Sequence, residues 1–465
     1  MRAATFLIPL FALLLTTSLT AQQPGPDARM KADVLLVVAH PDDDVVIGAI
    51  LARLSLDEHK RVAVVYATDG DGGGNAIADE SGRALGQIRK IEARRALRLS
   101  GIDTVWFLDG HDTPGQDPLR SLDSWNHGKM LNDLVRLVRI TRPDVVISWL
   151  PAQVSGENHG DHQASAVLAV EAFDAAGDPD VFPEQLSMPR ELNGMANLLE
   201  GLQPWQPQKL YFFTDAFEVF TPYWHDPASR SPFRPALDHA TGPVYRADET
   251  SPSQHVSYAE LEARQQAEYL TQEGSLGTDA LRAHDYTHFA YPEPLIFGKS
   301  LVGGSVAGDI FENTRSNPIA FHSVQRHAAP SPAGITLEIG DPWHYYTAFW
   351  HVHELDHLAT LLPVPELGAG SGEQLHIPLV TCNYTATKAD ISISPAFPAG
   401  WTSEPHTSHF AIAPNTCAIA FQNFVTPAER QSSWHELSWK ASPASLPVGA
   451  ATLRLFIGKS RGLPQ

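Results

Sequence analysis

Two short runs concentrate side chains able to hold a cation and move a proton: His40-Pro41-Asp42-Asp43 and His159-Gly160-Asp161-His162. In each run the outer residues lie three apart, and Pro41 restricts the backbone inside the first. That spacing can bring an imidazole and a carboxylate, or two imidazoles, to one point. Three nitrogen or oxygen ligands with one position left open form the donor set of a catalytic zinc site. His40, Asp43 and His162 would supply the three. One zinc ion per chain is the expectation, and another divalent metal suits the same donors. Asp42 would stand beside the open position as a general base.

Such a site needs a frame. Residues 33–40, 61–70, 103–110, 144–150 and 208–215 are apolar, largely β-branched or aromatic runs that read as strands, the first of them as one buried on both faces. Helical spacing separates them. Val46, Ile47, Ile50 and Leu54 recur behind an acidic first turn, and residues 80–100 offer Leu85, Ile88, Ile91 and Leu99 to a buried face before Gly101. Further helices are expected over 129–140, halted by Thr141-Arg142-Pro143, and over 162–173. Strict alternation implies an α/β fold, a mainly parallel sheet with helices on both faces. Ligands bind such sheets outside the carboxyl ends of the strands. Both runs fall there, with Asp69-Gly70-Asp71 and Asp109-Gly110-His111-Asp112 on the same edge.

The order AHPDDD, amphipathic helix, TDG, RKIE helix, RPDVVIS and HGDHQAS resembles the PIG-L/LmbE family of metal-dependent N-deacetylases over residues 32–215. The resemblance implies a Rossmann-like domain that removes an acyl group, usually acetyl, from the nitrogen of an N-acetylglucosamine-type sugar by zinc-activated water. By position, His40, Asp43 and His162 match the zinc ligands and Asp42 the general base. His159 matches the histidine that helps stabilise the tetrahedral intermediate, expected here as a protonated donor, and Asp161 is expected to orient it. Asp112 stands where some members contact substrate. Arg89, at i, i+3 from Glu92, reads as half of a helix-surface ion pair and is carried as a second substrate candidate. Asp69 is expected to support the site from behind the ligands, and residues 69–75, DGDGGGN, to form a flexible rim loop. Three departures stand out: Asp44 replaces the usual glutamate, Gly160 a frequent proline, and Glu157-Asn158 lie where some members carry tyrosine.

The chain has 465 residues and a formal charge of −20, with 33 lysines and arginines against 53 aspartates and glutamates. That balance opposes nucleic-acid binding, which needs a basic face. Residues 1–21 read as a signal peptide cleaved near Thr20 or Ala21, so export to a periplasm or the extracellular space is expected, with no membrane span afterwards. The expected partner is a small-molecule or glycan substrate bearing an N-acyl group. The catalytic region is placed at 32–330, with 216–330 an extension in which 261–270 is helical. Residues 331–365 read as a connector, with ELGAGSGEQ as linker or turn, and 366–465 as an all-β sandwich serving as a spacer. Cys382 and Cys417 both lie in that last region and could pair in an oxidising compartment.

A competing pattern is His353-Glu354-Leu355-Asp356-His357, which spells HExxH. On a helix its histidines would share one face, with Glu354 as base, and make a zinc metalloprotease. Asp356, and Pro363 and Pro365 downstream, oppose that helix. A secreted carbohydrate-binding protein without catalysis is the third reading.

Overall fold

The computed structural model describes residues 26–153, 159–186, 201–215, 242–324, 334–361, 364–442 and 450–458. The segment read as a signal peptide and Glu157-Asn158 lie outside the described residues.

Five parallel strands form the centre: β1 (Val34–Val38), β2 (Val62–Thr68), β3 (Thr104–Gly110), β4 (Val145–Trp149) and β5 (Lys209–Phe213). Two short strands follow, β6 (Val244–Arg246) and β7 (Pro292–Pro294), which pair with each other. Then β8 (Ile296–Ser300) adds antiparallel to β5 and completes the order β3-β2-β1-β4-β5-β8. The order reverses between β1 and β4, which opens a crevice at their carboxyl ends. The predicted α/β layering is therefore present.

The helices of this region are α1 (Gly48–Ala52), α2 (Gly82–Leu99), α3 (Pro118–Ser124), α4 (His127–Thr141), α5 (Gly160–Ala175), α6 (Tyr258–Gln266) and α7 (Gly274–Ala283). The first expected helix is composite: a 3₁₀ turn over Asp43–Ile47, α1, and a π turn over Arg53–Asp57. Gly48 lets α6 approach, since a Cβ there would stand 2.8 Å from Glu262 Cγ. On α2, Ile91 and Leu99 are exposed rather than buried; Leu85, Ala93, Ala96 and Leu97 make the contact. Ala93 and Ala96 share that buried face with Leu85 and Leu97, and Ile91 and Leu99 lie outside it.

The connector expectation for 331–365 does not hold. Strand β9 (Ile335–Ile339) pairs with a later strand, and α8 (Trp343–Val352) packs Tyr346, Phe349 and Trp350 into the apolar cluster that also holds Val167, Val170 and Phe173 of α5. ELGAGSGEQ is not a linker either, because its first five residues form β10 (Glu366–Gly370). There follow β11 (Gln374–Asn383), β12 (Ala389–Ala396), β13 (Ser408–Ile412), β14 (Thr416–Val425), β15 (Ser433–Ser442) and β16 (Ala450–Gly458). They make a five-stranded sheet, β10-β16-β15-β12-β13, and a three-stranded one, β14-β11-β9. Inward residues of both sheets, among them Leu379, Phe424, Ile393 and Leu453, share one apolar cluster. Cys382 and Cys417, directly opposed on β11 and β14, are joined by a disulfide. Among the described residues no helix is long and apolar enough to cross a membrane.

Candidate metal centre

The turn after β1 carries His40, Asp42 and Asp43, and the first turn of α5 carries His159, Asp161 and His162. The β1/β4 crevice brings them together. His40 Nδ1 lies 2.9 Å from His162 Nε2, Asp43 Oδ1 lies 3.1 Å from His162 Nε2, and His40 Nδ1 lies 3.6 Å from Asp43 Oδ1. Three ligands at tetrahedral angles around one ion, with bonds of about 2.0–2.1 Å, stand roughly 3.3 Å apart. The donor set fits.

The remaining atoms of these side chains are accounted for. Asp43 Oδ2 accepts from Ala39 N at 2.8 Å, His40 N at 3.0 Å and Trp149 Nε1 at 2.7 Å, so Oδ1 is the oxygen turned to the imidazoles. His40 Nε2 faces Asp161 Oδ2 at 3.2 Å and Asp112 Oδ1 at 3.3 Å. Acidic acceptors there place the proton on Nε2 and leave the Nδ1 lone pair for a cation. Asp161 is fully buried and accepts in addition from Thr113 N at 2.8 Å and from the Thr113 hydroxyl. Two other groupings, His40/His159/His162 and His40/Asp112/Asp161, also bring ligand atoms within 4.8 Å of one another. In the second, the carboxylates are already engaged on the proton-bearing side of His40.

Charge follows the same layout. Burial alone would raise Asp43, but His162 and His40 outweigh it and hold its carboxyl well below the usual range. Burial and the adjacent Asp43 charge push Asp42 well above it. Asp42 itself sits at φ 109°, a left-handed conformation that a non-glycine residue adopts at a cost, and makes no cap hydrogen bond to the turn it starts.

The expected partners of two residues need correction. Asp161 braces His40 rather than orienting His159, whose buried Nδ1 has no hydrogen-bond partner among the described residues. Burial, then the neighbouring His40 and His162, push the His159 imidazole down to about 4. Its ring centroid lies 5.1 Å from that of His40 and 5.2 Å from that of His162, so it lines the cluster.

The outer candidates also have definite places. Asp112 touches His40, and its own N–H donates to Asp71 Oδ1 at 3.2 Å. Arg89 makes no pair with Glu92; its guanidinium donates to Gly70 O at 2.7 Å and Gly74 O at 2.8 Å. Glu92 accepts from Thr271 N and Oγ1 instead. Residues 69–75 are therefore strapped to α2 and to the loop after β3. Asp69 pairs with Lys90 at 2.9 Å and with none of the candidate ligands.

Sequence reasoning overlooked Trp149 and Thr113. Trp149 ends β4, where strand ends face the crevice, and its indole stacks on His162 at 4.5 Å. The HExxH pattern does not form its helix. Val352 ends α8, Glu354 has φ 57°, and His353, Glu354 and His357 point to Asp174, His322 and the Phe297 carbonyl respectively.

Residues 35–173 match the PIG-L family model, described as GlcNAc-PI de-N-acetylase. The 1D-myo-inositol 2-acetamido-2-deoxy-alpha-D-glucopyranoside deacetylase 1 of Frankia alni is 30% identical over 190 residues, covering 37% of this chain and 59% of that protein. The mycothiol S-conjugate amidase of Streptomyces coelicolor is 29% identical over 166 residues, covering 32% and 55%. The chain thus spans less than three-fifths of the length of these curated relatives. A solved N,N'-diacetylchitobiose deacetylase from Pyrococcus horikoshii aligns at 21% identity over 57% of this chain and 83% of that one, with a TM-score of 0.37.

Proposed function

We propose, from the match of residues 35–173 to the PIG-L family model, that the protein is an exported, metal-dependent hydrolase that removes an N-acyl group, acetyl first among them, from an amino sugar or related amide. The observation that carries this reading is the convergence of His40 Nδ1, Asp43 Oδ1 and His162 Nε2, each on a side chain held in place by its neighbours. Zinc is the ion we assign to these borderline nitrogen and oxygen donors.

A divalent ion held by His40, Asp43 and His162 would supply a Lewis acid for the acyl carbonyl and would lower the pKa of a water beside it. The chain does the rest. Asp42 takes the proton of the attacking water and returns it to the departing amine. His159 donates an N–H towards the carbonyl oxygen as negative charge develops there. Asp161 and Asp112 hold the His40 ring, and Trp149 holds Asp43.

Export is supported by the Cys382–Cys417 disulfide, which persists in oxidising compartments. The shared apolar cluster of the two C-terminal sheets supports reading them as a β-sandwich. The protease reading loses its helix, and a purely sugar-binding protein would have no use for a complete donor set with a carboxylate beside it.

The test is metal content per chain and acetate release from N-acetylglucosamine oligomers in wild type, Asp42→Asn and His357→Ala. Asp42→Asn should keep the metal and lose roughly 10²–10⁴-fold in rate, while His357→Ala should match wild type. Metal lost only in His357→Ala would refute the assignment. Metal retained with no acetate release in wild type would refute the substrate class alone.

A further inference from the structure

The match to the PIG-L family model ends at residue 173, yet residues far beyond it reach the loops that carry the candidate site. Trp350 of α8 donates its indole N–H to Pro151 O at 2.8 Å, where the chain leaves β4. One turn earlier on α8, Tyr346 donates its hydroxyl to Gln163 Oε1 at 2.8 Å. Gln163 follows His162 directly and is fully buried. Its amide N–H in turn reaches Gln116 O at 3.3 Å, in the loop after β3. The Gln116 side chain then pairs with β10 as a neighbouring strand would: Nε2 donates to Gly368 O at 3.1 Å and Oε1 accepts from Gly368 N at 3.4 Å.

These contacts close a circuit. Gly160 N donates to Gly115 O at 2.9 Å, and a Cβ on Gly160 would stand 2.8 Å from Asp117 O, so the start of α5 lies flat against the loop after β3. That loop carries Asp112 and Thr113, which hold His40 and Asp161. At the far side, β10 is anchored to β16 by parallel pairing. Tyr346 is 1% exposed and Trp350 6% exposed, and their rings stack at 5.7 Å. Buried polar groups with committed partners resist displacement, since moving them leaves donors or acceptors unpaired.

We infer that α8 and β10 act as a brace for the metal centre, with Tyr346, Trp350 and Gln116 as positioning residues. They fix the first turn of α5, which carries His159 and His162, and the loop after β3, which holds His40 through Asp112 and Asp161. The C-terminal β region is then part of the catalytic unit rather than a spacer. The inference rests on the metal reading of the site, and its test separates the two.

Cobalt(II) titrated into the metal-free full-length chain is the probe, followed by its visible absorption, which reports ligand geometry. Tyr346→Phe keeps the ring and removes only the hydroxyl; Gln116→Ala removes the link to β10. Each should weaken cobalt(II) binding about tenfold, alter the absorption band and lower kcat with KM little changed. A merely structural role would lower the melting temperature and leave the band as in wild type. Wild-type affinity and spectrum in both variants would overturn the brace. A wild-type chain that takes up no cobalt(II) would overturn the metal reading and the brace with it.

Discussion

Trp149 donates its indole N–H to Oδ2 of Asp43 at 2.7 Å and so decides which carboxylate oxygen faces the imidazoles. The same indole lies parallel to His162, the ring centroids 4.5 Å apart. One side chain therefore sets two of the three proposed ligands. Trp149→Phe retains an aromatic face and loses the donor. Metal affinity should fall about tenfold, read by competition with a chelator of known affinity, and acetate release should fall with it. Unchanged affinity would show that the backbone donors of Ala39 and His40 suffice.

Thr113→Val tests the support behind His40. The change is nearly isosteric, yet it removes a hydroxyl that binds the fully buried Asp161 and lies 2.8 Å from Ser121 Oγ. Hydrogen bonds to charged groups contribute about 1.5–3 kcal/mol, so urea unfolding should show a loss of that order. A loss below about 0.5 kcal/mol, within the range of an ordinary surface change, would argue that the backbone N–H alone satisfies Asp161.

Asp44 departs from the glutamate expected in the family, and its surroundings account for the shorter side chain. It is fully buried and accepts from Tyr66 Oη at 2.6 Å, from the Tyr269 hydroxyl and from the Gln265 amide. Two of these three belong to the region after β5. Asp44→Glu should destabilise by about 1–3 kcal/mol, as overpacking does, although it restores the family's usual residue. A thermal melt equal to or above wild type would contradict this.

Glu262 on α6 and Glu293 on β7 form a buried carboxyl pair, 1% and 2% exposed. Glu293 accepts from Ile50 N at 3.0 Å and Glu262 from Tyr291 Oη at 3.2 Å. Burial, then the charge of Glu293, pushes Glu262 well above its usual range; burial raises Glu293 from 4.5 to about 7, with its hydrogen bonds to Glu262 and to the Ile50 backbone pulling the other way. A folded-state value raised above the unfolded one favours folding at low pH, and that contribution is lost as pH rises through about 7. The melting temperature should therefore decline from pH 6 to pH 8. In Glu262→Gln the decline should be shallower and the melting temperature at pH 8 higher. Parallel profiles for the two proteins would refute the pairing.

The central sheet is legible because β1, β2 and β4 are short, mostly apolar runs rich in valine whose polar flanks coincide with strand ends. β10 is not, because Gly-Ala-Gly offers no side-chain signal and its pairing with β16 is purely backbone. The first-turn ligands are readable from their spacing. The brace on His40 is not, since Asp161 lies 121 residues away and only the folded sheet makes them neighbours. HExxH fails for a local reason: the letters match, but Glu354 adopts a left-handed conformation that breaks the helix they presuppose. On α2, periodicity identifies the helix and Leu85 on its buried face, yet assigns Ile91 and Leu99 to that face where Ala93, Ala96 and Leu97 are buried instead.

The disulfide between Cys382 and Cys417 spans the outward face of the three-stranded sheet, beside exposed Ile419, Phe421 and Val425. Sliding β14 by one residue along β11 would turn those side chains inward and expose Ala418, Ala420 and Phe424 in their place. The covalent rung forbids that slide. Once oxidised, the chain has a single answer to which side of this strand meets water, and it keeps a greasy strip in view that an unlinked strand would be free to hide.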